Sequence, residues 1–174
     1  MAKREALREL QGRLAERMRS AGSTGQIAAW LAVEAAGQGF LLPLAEAGEI
    51  FSGVSWLPVP HTAPWFKGVA NLRGGLHGVV DLAEFFGLRR GAPVAADQSR
   101  LVALNPSLEV NCALLVDRLA GLRHADQLAA EEGAEAAPRP EFAGARLRDG
   151  AGRAWQELRL ARLAREEQFL RIVG

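Results

Sequence analysis

The side chains best equipped for chemistry are a single cysteine, Cys112, and three histidines, His61, His77 and His124. A thiolate nucleophile needs a base within hydrogen-bond reach, and any of the three imidazoles is a candidate for that role. Cys112 lies inside Val110-Asn-Cys-Ala-Leu-Leu-Val116, however, an apolar run in which a free cysteine behaves as a small buried hydrophobe. His77 and Asp81 stand four apart in a β-type segment, so they share a face and could offer two metal ligands. Two ligands do not make a site: His61 would have to arrive from a proline-rich loop, and no cluster supplies a fourth donor. Gly74-Gly-Leu-His-Gly78 lacks the lysine and Ser/Thr of a phosphate loop. There is no Gly-x-Ser-x-Gly elbow, no paired-carboxylate constellation and no basic stripe interleaved with aromatics. The expectation is a protein that binds, with no catalytic residue, metal or cofactor.

The elements that would position these side chains are short apolar runs broken by glycine and proline, the punctuation of a β protein. Ala29 to Val33 and Phe40 to Leu44 flank Gly37-Gln-Gly39 and predict a hairpin, with Pro43 pushing the second strand toward an edge or a bulge. Phe66 to Arg73 and Leu76 to Asp81 flank Gly74-Gly75, which predicts a second hairpin with those glycines as its turn. Leu101 to Leu104 and Val110 to Val116 are further strands, separated by the turn-forming Asn105-Pro-Ser107. The acid-rich stretch Asp126 to Pro140 reads as a solvated, mobile loop. An echo links Phe66-Lys-Gly68, whose hairpin closes at Asp81-Leu82 before a short helix, with Phe142-Ala-Gly144, whose hairpin closes at Arg159-Leu160 before another. Two related β lobes would produce such an echo, and so would chance.

Composition narrows the partners. The chain has 174 residues, 49% hydrophobic and 24% charged, which fits an ordinary folded body of one domain or two small lobes. Twenty-one basic side chains against twenty acidic ones leave a net charge of +1, so no global field would hold nucleic acid or an anionic membrane. No apolar run approaches a membrane span, and the N-terminus lacks the apolar core of a signal peptide. A lone cysteine fits a reducing compartment, and the cytoplasm is the expected location. Trp56, Trp65 and Phe66 bracket the proline-rich stretch Leu57 to Pro64, as core pins or as an interface.

The run from Phe66 to Leu82, Phe-Lys-Gly-Val-Ala-Asn-Leu-Arg-Gly-Gly-Leu-His-Gly-Val-Val-Asp-Leu, resembles the signature of the CheW family of chemosensory coupling proteins. The resemblance extends upstream to Phe40-Leu-Leu-Pro-Leu44 and Glu49-Ile50, and downstream to Ala113-Leu-Leu-Val-Asp-Arg-Leu119. Phe142 to Leu147, Trp155 and Leu160 to Leu163 leading to Phe169-Leu170 resemble the PilI-type members, which serve type IV pilus twitching clusters. It implies a mainly β fold of two SH3-like five-stranded barrel lobes over residues 26–174, with a C-terminal helix and, at residues 1–25, an N-terminal helix and linker. It further implies a non-catalytic scaffold that joins the regulatory domain of a CheA-type histidine kinase to the cytoplasmic tip of methyl-accepting receptors. Such a scaffold would be cytoplasmic and recruited to membrane-associated receptor arrays. The rivals from other classes are a small Cys/His enzyme and a stand-alone kinase-type regulatory domain.

Carried over position by position, the resemblance places receptor contacts at Ala47, Gly68, Arg73 and Leu122. Kinase contacts fall on the hairpin at Leu76, Val79, Val80 and Leu82, where strand alternation predicts one of the two valines inward and the other outward. Asn71, Gly74, Gly75 and Asp81 are read as structural turn residues. Arg73 has two open readings: a bidentate partner for a receptor carboxylate, or a turn-shaping pair with Asp81 or carbonyls. Ala47 stands where the family has a larger aliphatic residue, and Gly78 where it has proline or threonine.

Leu7, Leu10, Leu14 and Met18 form a narrow apolar stripe in a segment with six basic and three acidic residues. Such a stripe cannot build a core, so the segment is expected to be a separable helix. Deleting residues 1 to 24 should leave a cooperatively melting β body. An insoluble or molten truncation would assign the helix to the core.

Overall fold

The computed structural model describes residues 28–91, 97–133 and 138–174, so the expected N-terminal helix at 1–25 lies outside the described residues. The strands are β1 (Ala29–Ala35), β2 (Gln38–Pro43), β3 (Ala47–Phe51), β4 (Phe66–Leu72), β5 (Gly75–Asp81), β6 (Arg100–Leu104), β7 (Cys112–Val116), β8 (Arg118–His124), β9 (Leu128–Ala130), β10 (Ala143–Asp149) and β11 (Ala154–Leu158). Three single-turn helices, α1 (Leu82–Phe85), α2 (Leu160–Leu163) and α3 (Glu167–Leu170), complete the framework.

The strands form two sheets, ordered β8-β1-β2-β11-β10-β9 and β3-β6-β7-β5-β4. In the first, β8 and β9 are opposite edges yet only three residues, Ala125–Gln127, separate them in the chain, so the sheet must roll up. The second closes likewise. Residue Leu57 of the β3–β4 connection bridges to Val69 on one edge, and Arg73 beside that edge pairs with Glu49 on the other. The two barrels share a pattern: an antiparallel hairpin lies parallel to the second strand of another hairpin, which runs into a short helix. The segments 66–85 and 143–163 occupy equivalent places in it, so the echo in the sequence has a structural counterpart.

Apolar residues fall into three layers because side chains alternate across each strand. Leu31, Val33, Phe40 and Leu42 face Val80, Val102, Leu114 and Val116 in a central layer shared by the two sheets. Alternate residues fill each barrel: Ala70, Leu72, Val79, Leu101 and Leu115 in the second, Ala32, Leu41 and Trp155 in the first. Trp155 dominates the smaller filling. A Cβ on Gly39 would lie 2.6 Å from its ring, so only glycine admits the indole, whose Nε1 donates to Asp149 Oδ2 at 3.0 Å. Trp65 packs edge-on against Phe85 and stacks over Phe169, which makes it a core pin that ties α1 and α3 to the central layer.

Several local expectations need correction. Both hairpins turn through two residues with positive φ, but in the second these are Arg73 (φ 50°) and Gly74 (φ 82°), and Gly75 already begins β5. Matching the right-handed twist of the flanking strands requires such a turn, and the Asn71 side chain fixes it by accepting the Gly74 N–H at 2.8 Å. Pro43 ends β2, as its missing N–H requires, yet β2 is an interior strand between β1 and β11. The acid-rich stretch is not wholly loop, because Leu128–Ala130 pairs with β10.

The barrels are joined by charge as well as by apolar packing. Asp81, fully buried at the end of β5, caps α1 by accepting from Glu84 N–H at 3.1 Å. Arg89 Nη2 donates to both Asp81 oxygens at 2.9 and 3.0 Å, and Nη1 donates to both Asp117 oxygens at 2.9 Å. Asp117 in turn accepts from Ala36 N–H, in the β1–β2 turn, at 2.8 Å. Partial burial opposes the charge on Arg89, but the bonds to Asp81 and Asp117 outweigh it and raise its pKa. Close by, Glu34 accepts from Arg118 and Arg153, and Arg153 lies over Trp155, 4.5 Å from the ring centroid.

The hydrogen bond from Arg118 leads in holding the Glu34 carboxyl below the usual range, with Arg153 assisting against the penalty of burial. A carboxyl with a lowered folded pKa contributes stability that is present above its unfolded pKa of about 4.3 and disappears as pH falls through the folded value. Glu34→Gln should therefore lower the melting temperature at neutral pH and flatten the loss of stability below about pH 4.5, measured by thermal melts across that range.

Candidate docking surfaces

Arg73 stands at the tip of the β4–β5 hairpin, held in left-handed backbone geometry by its turn. Three-quarters of its side chain is exposed, and its partner is Glu49 of β3, itself 45% exposed. Solvent screens an ion pair of this kind, so it adds at most about 1 kcal/mol to folding. Asp81, the other carboxylate considered for it, is committed to Arg89. The guanidinium therefore sits at a rigid corner with little structural duty, and an incoming carboxylate need only displace Glu49.

The other three expected receptor positions are arranged unequally about this corner. Ala47 is buried at the start of β3, two residues from Glu49, and pairs with Leu104. Leu122 is 51% exposed on β8 and extends the cross-strand row Leu42–Leu31–Leu122 out of the central layer to solvent. Ala47 and Leu122 thus border the same layer from different barrels. Gly68 is buried: a Cβ there would lie 2.1 Å from the carbonyl oxygen of Leu57, which crosses over β4. Its absent side chain makes room for this crossing, so it offers no direct contact.

The expected kinase positions divide differently from the sequence reading. Val79 and Val80 do point to opposite faces, but both are buried, Val79 inside the second barrel and Val80 in the central layer. Neither is outward, because a closed barrel with a second barrel against it covers both faces of β5. Leu82 is fully buried at the start of α1. Leu76 alone is open, 65% exposed, and Leu57 of the β3–β4 connection, 70% exposed and bridged to Val69, provides further apolar surface beside that hairpin.

The Cys/His pair considered from the sequence lacks its nucleophile here. Burial pushes the Cys112 thiol up to about 12, so it carries no thiolate at neutral pH. The two oxygens of Asp81 are engaged by Arg89 and the α1 cap, which removes it from a metal pair with His77. Among the described residues, no helix is long and apolar enough to cross a membrane.

The family model for the CheW-like domain matches residues 29–168, which takes in both barrels and their connections. The chain belongs to the CheW-like domain family. Protein PilI of Pseudomonas aeruginosa is 34% identical over 88 residues, 51% of this chain, and the chain spans about half the length of that relative, 48%. The crystal structure of the scaffolding protein TtCheW from Thermoanaerobacter tengcongensis superposes with a TM-score of 0.62 at 18% identity, covering 76% of this chain and 88% of that one. In this CheW-like domain the residues that sequence reading missed are Arg89 and Asp117, which tie the barrels, together with Glu49 and Leu57, which partner Arg73 and cover Gly68. Asp81 closing an apolar strand hints at a buried charge, but nothing in the sequence says which arginine meets it.

The close approach at Gly68 yields a direct test. Gly68→Ala should cost roughly 1–3 kcal/mol through overpacking against Leu57 and lower the melting temperature by several degrees. An unchanged melt would mean that the Leu57 crossing lifts freely from β4.

Proposed function

We propose that this CheW-like chain is an adaptor without enzymatic activity, which docks a CheA-type histidine kinase through its regulatory domain and the cytoplasmic tip of methyl-accepting receptors. The reading places the adaptor over residues 26–174, in the cytoplasm and recruited to membrane-associated arrays, with no nucleic-acid partner and no insertion into the bilayer. Its resemblance to PilI-type sequences, and its similarity to Protein PilI itself, support service in a type IV pilus twitching system.

The observation that carries this reading is the exposed guanidinium of Arg73, presented at a fixed corner and paired with Glu49, two residues from Ala47 in the central layer at the seam between the barrels. A planar fork at such a corner suits a carboxylate on a helical receptor tip, because two parallel bonds fix orientation as well as affinity. Ala47 and Leu122 border the same seam and would line the approach, while Gly68 would act only by seating Leu57. On the second barrel, Leu76 and Leu57 offer an apolar surface for the kinase in place of Val79, Val80 and Leu82. A burial deep enough to desolvate one such leucine is worth about 1.5–3 kcal/mol.

Two variants separate the partners. Arg73→Ala should weaken receptor binding roughly tenfold, the value of one charge-assisted bond, while its melt stays within about 1 kcal/mol of the parent. Leu76→Glu should leave the fold and receptor binding intact and abolish kinase binding in a pull-down with the isolated regulatory domain. Receptor affinity unchanged in Arg73→Ala, or kinase affinity unchanged in Leu76→Glu, would overturn the corresponding half of the reading.

A further inference from the structure

Away from Arg73, a groove of about 530 Å³ opens between the barrels where β2, β10 and β11 of the first face the end of α1 in the second. Its walls are aromatic: Phe40 stacks on Phe86 with ring centroids 5.4 Å apart, and Phe86 meets Phe142 at 5.8 Å. Leu88, 40% exposed, continues the apolar wall toward solvent. Among the described residues, its charged lining residues are Arg139 and Arg146, with no carboxylate beside them. Neither guanidinium has a hydrogen-bond or ion-pair partner among the described residues, whereas Arg118, Arg148 and Arg153 of the same barrel are paired with glutamates.

A volume of this size lies within the ~300–1,000 Å³ range of small-molecule sites, which combine apolar walls with a few convergent polar groups. We propose that the groove binds a small amphipathic anion, an alkyl or aryl carboxylate whose body lies against Phe40, Phe86 and Phe142 while its carboxylate is held by Arg139 and Arg146. The two unpaired guanidiniums select the charge of the occupant. They disfavour the chain's own N-terminal segment, whose six basic residues outnumber three acidic ones. A neutral hydrophobe would make no charge-assisted bond to either cation. The site opens near the Ala35–Gln38 end of the first barrel, whereas Leu122 pairs with Leu31 toward the other end of β1, so this proposal stands apart from the adaptor reading.

Decanoate is a suitable probe, followed by titration of the full chain with aromatic NMR resonances as the readout. Saturable shifts of the phenylalanine ring signals are expected, with decanol binding far more weakly. The Arg139→Ala/Arg146→Ala double variant should weaken decanoate binding roughly tenfold or more, as expected for loss of charge-assisted bonds. Leu88→Asp should also weaken it, and Arg73→Ala should leave it unchanged. All three sets of side chains lie on the surface or rim, so each variant should fold, which thermal melts check. Absence of saturable binding at millimolar decanoate, equal binding of decanol, or undiminished binding by the folded double variant would overturn the proposal.

Discussion

Arg89 is the constraint on which the rest of the molecule depends. It is largely withdrawn from solvent between Asp81 of one barrel and Asp117, whose other bond reaches the first hairpin turn of its neighbour. A buried carboxylate such as Asp81 is tolerated only when its oxygens are bonded, and these are, by Arg89 and the N-terminal amide of α1. Removing one partner would strand a charge in the seam, at a cost of several kcal/mol. Apolar packing between the barrels is non-directional, whereas two forked bonds on one guanidinium admit a single relative orientation. The seam is therefore fixed in register by electrostatics and held shut by the aromatic layer.

That register decides which side chains reach solvent. Because β5 has a barrel interior on one side and a second barrel on the other, its central residues are spent on folding, and only the hairpin tip is left to face a partner. Arg73 lies in the turn at this tip and Leu76 follows on β5, so contacts to a carboxylate and to an apolar surface can be made from neighbouring positions without competing for the same atoms. Asn71 holds the geometry by bonding the turn amide, which keeps Arg73 in its left-handed conformation. That conformation costs on the order of 1–3 kcal/mol for a residue other than glycine, and it persists because the hairpin imposes it.

Much of the fold was legible because hairpins are local. Glycine-punctuated runs marked β1–β2 and β4–β5, and the repeated hairpin-to-helix segment reflected a real equivalence between the barrels. The turn at Arg73-Gly74 was misplaced by one residue because two adjacent glycines outweighed an arginine as candidates for positive φ. β9 was hidden because three small residues in an acid-rich stretch carry almost no periodic pattern, and only pairing with β10 makes them a strand. The valine pair shows a different limit. Alternation correctly put Val79 and Val80 on opposite faces, but whether a face meets water depends on a second sheet that no local window reveals. Glu49, Leu57, Arg89 and Asp117 escaped for the same reason, since each acts on a residue distant in sequence or belonging to another element.

The path of the chain through the two barrels bears on how the molecule assembles. The second barrel is built from one continuous stretch, β3 to β7, while the first combines β1 and β2 with strands that begin only at Arg118. The middle of the chain can close its barrel while the opening hairpin still lacks β8, β10 and β11. Pairing β2 with β11 then joins residues more than a hundred positions apart, and contacts of such sequence separation form slowly because a long loop must close first. During synthesis the opening hairpin is thus left waiting with unpaired edges, and it is the late arrival of Trp155 beneath Gly39 that completes its barrel and ends its exposure to misassociation.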